Sequence, residues 1–288
     1  MKDKIQSGQL KRIIPLKGGG LTGEVHLLNH NNKKFIVRRC ETIEIAKKYV
    51  KIYHTFKKYG FFPKLLGRYG KDVVFEYIEG RHIRKNEPLI IYEKLGIIAA
   101  QINKASADQD YKKRFFGQLK EIEEGIYENV DKKVLERRRI NKEVVQSQKV
   151  ITKIEAIMVK KVFEYLDKTC KPQTSWDAND FNATNFMITP KKQVYFVDIE
   201  ALKPRIKGFG IAKAMHHILK TKSQQKRFLQ GYSSVSPIDF LTEEYRDFLT
   251  LMFMVQKINY RFKIYKKGEY EVPLKGLKEI VKKYSHKL

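Results

Sequence analysis

Two cysteines in 288 residues, Cys40 and Cys170, stand far apart and without metal-type spacing, so neither a disulfide framework nor a zinc site is expected. No stretch approaches the run of about eighteen apolar residues that a membrane-spanning helix needs. The opening residues Met1-Lys-Asp-Lys-Ile-Gln are polar and lack the apolar core of a secretory signal, which makes a cytoplasmic location the expectation. Acidic residues are also scarce: 32 Asp and Glu stand against 59 Lys and Arg, a formal net charge of +27. A field of that size attracts nucleic acid, an anionic membrane face or an acidic small molecule. The lysines are dispersed along the chain and not gathered in one tail, so no dedicated nucleic-acid site is expected. A peripheral contact with an anionic membrane stays open.

What is present fits a folded protein with a sizeable core: 42% of residues are hydrophobic and 32% charged. From Leu10 to Gly80 the pattern is strand-rich. Arg12-Ile-Ile-Pro-Leu, Val25-His-Leu-Leu and Phe35-Ile-Val-Arg read as a strand followed by a hairpin, with Asn29 to Lys34 as its turn. Ile45, Tyr49, Ile52, Tyr53 and Phe56 recur at helical spacing, and Gly60 supplies a stop. Leu65-Leu-Gly and Val73 to Gly80 complete a small sheet. Beyond residue 80 helices dominate, with Ile91, Leu95, Ile98, Ala99 and Ile102 on one face of a first one. A charged helical stretch runs from Tyr111 to Gln148 and includes Glu136-Arg-Arg-Arg139; another helix covers Ile151 to Leu166. Two parts are therefore expected, 1–80 and 81–288.

The residues suited to chemistry sit between these helices. In Asp180-Phe-Asn-Ala-Thr-Asn185 an Asp precedes an Asn by five residues; an apolar run follows, and Asp198 ends the segment Val194-Tyr-Phe-Val. One carboxylate to take a hydroxyl proton, with an amide and a second carboxylate to hold magnesium, is the minimum set for moving a phosphoryl group from a nucleotide to a hydroxyl. Asp177 with Asn182 has the same spacing but lacks the apolar run after the Asn. Glu200 is either a metal-shell residue or a surface acid. Near the N-terminus, Gly18, Gly20, Gly23 and Val25 fit Gly-x-Gly-x-x-Gly-x-Val between two expected strands, where glycines let backbone N–H groups approach phosphate oxygens. Arg38, at the end of the Phe35-Ile-Val strand, lies where a nucleotide site wants a cation on the phosphates. A carboxylate partner for it is expected on the following helix, with Glu41 and Glu44 as candidates.

Taken together these segments resemble the aminoglycoside phosphotransferase and choline kinase family over most of residues 15–235. The resemblance also takes in the hinge-like Phe75-Glu-Tyr-Ile-Glu-Gly80, the helix Leu95 to Asn103, the segment Val197-Asp-Ile-Glu200 and Phe228-Leu-Gln-Gly-Tyr232. It implies an α+β, bilobal protein-kinase-like fold, with a small antiparallel-sheet N-lobe and a mostly helical C-lobe. By that similarity Asp180 is the catalytic base, Asn185 and Asp198 are the magnesium ligands, and Arg38 is the phosphate-binding cation. The backbone from Glu76 to Ile78 contacts adenine, and the glycine loop covers the phosphates of ATP. The implied activity is transfer of the γ-phosphoryl group of Mg2+-bound ATP to a hydroxyl of a small molecule. Residues from about Lys203 to Tyr265 are expected to set specificity, with Tyr232, Tyr245 and Tyr260 as candidates for lining the acceptor pocket or for packing.

Two positions depart from the family pattern: Ala178 where the family usually has His, and Gly210 where it usually has Asp. They imply either a re-wired loop, with Trp176 and Asp177 in their place, or a catalytically silent nucleotide-binding protein. A more distant similarity is to lipopolysaccharide-core sugar kinases, which act at a membrane face.

Overall fold

The structure, a computed structural model, describes residues 11–12, 24–124, 150–263 and 270–288. Gly18, Gly20 and Gly23 and the Glu136 to Arg139 run lie outside the described residues. Compact packing divides the chain into two units, one of Met1–Ile102, Ala178–Lys203 and Ala214–Ser236, the other of Asn103–Asp177, Pro204–Lys213 and Pro237–Leu288.

The first unit is organised by a five-stranded antiparallel sheet in the order β1-β2-β3-β5-β4. Its strands are β1 (Lys11–Arg12), β2 (Glu24–His30), β3 (Lys33–Arg39), β4 (Leu65–Tyr69) and β5 (Asp72–Glu76). The β2–β3 turn is tighter than the polar run suggests. Only Asn31 and Asn32 lie in it, with φ of 50° and 57°, the left-handed pair that a two-residue hairpin turn needs and that Asn tolerates. Leu28, Val37 and Val74 form the sheet's small core. Helix α1 (Ile43–Phe56) is capped by the Thr42 hydroxyl, buries Ala46, Tyr49, Ile52 and Phe56, and packs on β4 and β5. It runs into a short tight turn that Gly60 ends at φ 70°.

A second, three-stranded antiparallel sheet, β6-β8-β9, joins β6 (Arg81–His82), β8 (Phe186–Ile188) and β9 (Val194–Phe196). The Phe196 amide donates to the Phe61 carbonyl at 2.7 Å, and Phe56, Phe61, Phe62 and Phe196 pack together. Helix α2 (Leu89–Asn103) buries the face that the periodicity marks: Ile91, Leu95, Ile98, Ala99 and Ile102 are each at most 4% exposed.

The second unit is mainly helical. It contains α3 (Tyr111–Glu124), α4 (Lys153–Cys170), most of the strand pair β7 (Thr174–Ala178) and β10 (Leu202–Ile206), the start of α5 (Phe209–His217), and α7 (Glu243–Lys263) and α8 (Glu271–Tyr284). Helix α6 (Lys222–Ser233) belongs to the first unit. Phe115 and Phe163 stack at 4.1 Å within a core that also holds Leu119, Val159, Phe248 and Val255. A capping box between Thr152 and Glu155 starts α4. Among the described residues no helix is long and apolar enough to cross a membrane.

Candidate active site

The loop after β7 is pinned at both ends and in its middle. The Asn179 amide donates to the Ala201 carbonyl at 2.7 Å, and Phe181 is fully buried against Phe186 and Phe228. With that ring inside, the neighbouring Asp180 is left exposed. The Asp180 carboxylate makes no hydrogen bond among the described residues, while its carbonyl accepts from the Asn182 amide at 3.1 Å and from Asn185 Nδ2 at 2.7 Å. Asn182 caps the turn that follows: its Oδ1 accepts from the Thr184 amide at 2.9 Å. Asn185 is buried, and because its Nδ2 is spent on Asp180, its Oδ1 is the group that remains for a ligand.

The β8–β9 hairpin brings Asn185 beside Asp198. Phe186 pairs with Phe196, and the Val197 amide donates to the Asn185 carbonyl at 2.9 Å, so the residue before β8 faces the residues after β9. Asp198 keeps 30% of its side-chain exposure, yet its Oδ1 is buried without a hydrogen bond. Burial raises its pKa; Arg38 opposes that rise, and Glu200 and Asp180 add to it. Asp198 therefore feels the Asp180 and Glu200 carboxylates and the Arg38 guanidinium at once.

That guanidinium belongs to Arg38, directly across the hairpin from Val25. Its Nη2 donates to Glu200 Oε2 at 2.6 Å and its Nη1 lies 3.7 Å from Asp198 Oδ1. The Tyr49 hydroxyl donates to the same Glu200 oxygen at 2.8 Å, and the guanidinium carbon sits 4.9 Å from the Tyr49 ring centre. Burial opposes the Arg38 charge, but the Asp198 and Glu200 carboxylates outweigh it and raise its pKa. Burial also pushes the Tyr49 phenol far above its ordinary range, so it stays a neutral donor and the carboxylates hold the charge. The short ion pair thus comes from Glu200 and not from the helix after β3. What α1 supplies is a tyrosine from its buried face, while Glu44 stands exposed in the first turn. Tyr49 was missed because a tyrosine at a core position of an amphipathic helix carries no signal of its own.

Other sequence candidates fall into place. The Glu76 carboxylate accepts from the Lys64 amide at 2.7 Å; Ile78 is half-buried just beyond β5. Arg39 points away from Arg38 and forms two bonds to Asp72, at 2.9 and 3.0 Å. Asp177 is buried, and its Oδ1 accepts from the Gly210 amide at 2.9 Å, in the first turn of α5. One carboxylate on a backbone N–H at a helix start is a favourable brace, and a buried methyl, Ala178, follows it in the chain. Tyr232 and Tyr245 are core residues, with the Tyr245 hydroxyl bound to the Lys207 carbonyl; Tyr260 is 47% exposed.

Among the described residues no group of three or more His, Cys, Asp or Glu could hold a metal ion. Asp198 and the Asp180 loop instead offer oxygens of mixed kind: a buried Asp198 oxygen that makes no hydrogen bond and an Asn185 amide oxygen, with the Asp180 carboxylate near enough to act on Asp198. Hard divalent cations such as magnesium take this type of oxygen set, and the residues fit it.

The sequence matches no family model and no curated protein. Solved structures do match. Choline kinase LicA from Streptococcus pneumoniae superposes with a TM-score of 0.63 at 19% identity, covering 96% of this chain and 97% of that one. An ethanolamine kinase from Plasmodium vivax gives 0.56 at 11%, over 97% and 84%. A complex of spectinomycin phosphotransferase with ADP and spectinomycin gives 0.54 at 13%, over 95% and 88%. At these identities the likeness is one of fold.

Proposed function

From the fold shared with choline kinase and the aminoglycoside phosphotransferases, we propose that this protein is an ATP-dependent kinase that phosphorylates a hydroxyl of a small molecule. The observation that carries the reading is the hairpin-built grouping of Asn185 and Asp198 beside the Asp180 loop, with a buried Asp198 oxygen that makes no hydrogen bond and has the Arg38 guanidinium 3.7 Å away.

In this reading the exposed Asp180 carboxylate orients the acceptor hydroxyl and takes its proton. Its backbone is fixed from below by the Asn185 amide, so the carboxylate is presented without cost in side-chain partners. Asn185 Oδ1 and Asp198 hold Mg2+, which when bound neutralises the charge on the transferring phosphoryl group. Arg38 is the cation for the nucleotide phosphates, kept in place by Glu200 and Tyr49. The backbone from Glu76 to Ile78 is the proposed adenine contact, and Gly18, Gly20, Gly23 and Val25 form the proposed phosphate cover. The Asp177 brace on Gly210 supports an active enzyme, because the two departures from the family pattern leave α5 tied to the strand before the loop.

The test is transfer of label from γ-labelled ATP to a panel of alcohols in the presence of Mg2+, with nucleotide binding measured in parallel. Asp180→Asn is expected to bind nucleotide as the wild type does and to lose turnover by about a thousandfold. Nucleotide binding without turnover by the wild type on any alcohol would assign a silent nucleotide-binding protein instead.

A further inference from the structure

Basic residues are dispersed along the whole chain, at 59 against 32 acids, but the acids are not spread evenly among them. From Ile45 to Lys71 there are eight Lys and Arg and no Asp or Glu. This stretch folds as most of α1, the tight turn that Gly60 ends, β4 and the turn into β5, all within the first unit. All eight cations are exposed, and none forms an ion pair among the described residues.

The densest part is the outer side of α1. Opposite the buried Ala46, Tyr49, Ile52 and Phe56, the exposed residues Ile43, Lys47, Lys51, His54 and Lys58 recur every three or four positions and so line one face, with Lys58 in the turn that continues the helix. Glu44, in the first turn, borders the start of that line, and Lys47 acts on it. On α8 the pattern is different: the exposed Lys275 and Lys282 are interspersed with Glu271 and Glu279, as on an ordinary solvated helix. Lysines one turn apart repel each other, and acids placed among them would relieve this. A face without those acids suits a surface of the opposite sign.

The side chains present select among polyanions. Seven of the eight cations are Lys, a compact point charge, so the guanidinium forks that grip phosphate groups in pairs are nearly missing. Tyr53 and Tyr59 are half-buried against Phe62 and Phe61, which withdraws their rings from base stacking. Ile43 is 42% exposed at the end of the lysine line. An aliphatic side chain there is idle against a sugar–phosphate backbone, whereas at a bilayer it enters the headgroup layer beneath the lysines.

We propose that the outer face of α1 docks this protein on an anionic lipid bilayer, with Lys47, Lys51 and Lys58 as its charges and Ile43 as its apolar anchor. The contact is peripheral and stands without the kinase reading. Each lysine near such a surface strengthens partitioning about fivefold, and the effect fades within a Debye length.

The test is cosedimentation of the full-length protein with vesicles of phosphatidylserine and phosphatidylcholine in equal parts, with phosphatidylcholine alone as the comparison. Binding is expected to the mixed vesicles only, and to weaken as salt is added. The double variant Lys47→Gln, Lys51→Gln is expected to bind them about twentyfold more weakly. Lys275→Gln with Lys282→Gln, the same change of net charge on α8, is expected to stay within about twofold of the wild type. Ile43→Ser is expected to weaken binding about threefold. These changes fall on exposed side chains, and melting temperatures close to the wild type check that the variants fold. No binding to the mixed vesicles by the wild type overturns the proposal, and binding to a random-sequence duplex RNA that the α1 pair then abolishes gives the face to a nucleic acid instead. Equal losses in the two double variants also overturn it, since binding would then follow net charge and not this face.

Discussion

Replacing Glu200 by Gln isolates what the buried charges around Arg38 contribute to stability. Arg38 is 14% exposed and Glu200 26%, with 2.6 Å between their charged atoms, so water screens the pair only in part. An exposed pair contributes at most about 1 kcal/mol, and removing one partner of a fully buried pair costs about 3–5 kcal/mol. This pair lies between those limits, and Asp198, at 3.7 Å from Arg38, remains as a second counter-charge. The expected loss is therefore about 2 kcal/mol for Glu200→Gln. Tyr49→Phe removes one hydrogen bond to a carboxylate and keeps the ring beside the guanidinium, so its expected loss is about 1 kcal/mol. Once Glu200 is replaced the phenol meets a neutral amide oxygen instead of a carboxylate, a weaker acceptor, so the double variant should fall short of the sum by about 0.5 kcal/mol. Urea unfolding followed by circular dichroism, in buffer without divalent ions, measures all three. A Glu200→Gln variant within about 0.5 kcal/mol of the wild type, or strict additivity in the double variant, refutes the reasoning.

Acid sensitivity is expected from Glu87, whose pKa is lowered by the hydrogen bond from Arg81, against the effect of burial and with help from the Arg84 amide. A depressed folded pKa stabilises fully above the unfolded value and is lost as pH falls through the folded one, so the wild type should lose more stability below about pH 5 than Glu87→Gln. Urea midpoints at neutral and acidic pH that move in parallel for the two proteins would contradict this. Helices α2 and α6 approach through Gly96 and Gly231: a Cβ on Gly231 would lie 2.0 Å from the Glu93 carbonyl oxygen, and one on Gly96 would lie 1.9 Å from that of Phe228. Gly231→Ala should cost about 3 kcal/mol in thermal unfolding. By contrast Gly117→Ala, in α3 with no atom within 4 Å of the added carbon, should stabilise by about 1 kcal/mol; equal effects at the two positions would rule out the steric account.

Features carried by neighbours in the chain were legible from residues alone. The asparagine turn between β2 and β3, the stop at Gly60 and the buried face of α2 all follow from local backbone preference and periodicity, which need no tertiary partner. The Asp180 to Asn185 spacing was readable for the same reason, since a loop that closes on its own carbonyl is a local object.

The partners of Arg38 were not legible. Glu200 lies 162 residues away from it, and the Tyr49 hydroxyl reaches a residue 151 positions on. A helical carboxylate was the reasonable expectation for Arg38. Packing instead turned the buried face of α1 inward at Tyr49 and let the segment after Asp198 supply the acid. Asp177 reaches Gly210 across 33 residues in the same way. Sequence by itself determined the strands, the helices and the residue types available for phosphoryl chemistry, because these depend on short-range geometry. Only the tertiary structure decided which charges meet, because an ion pair depends on distance and burial, and neither is a property of position along a chain.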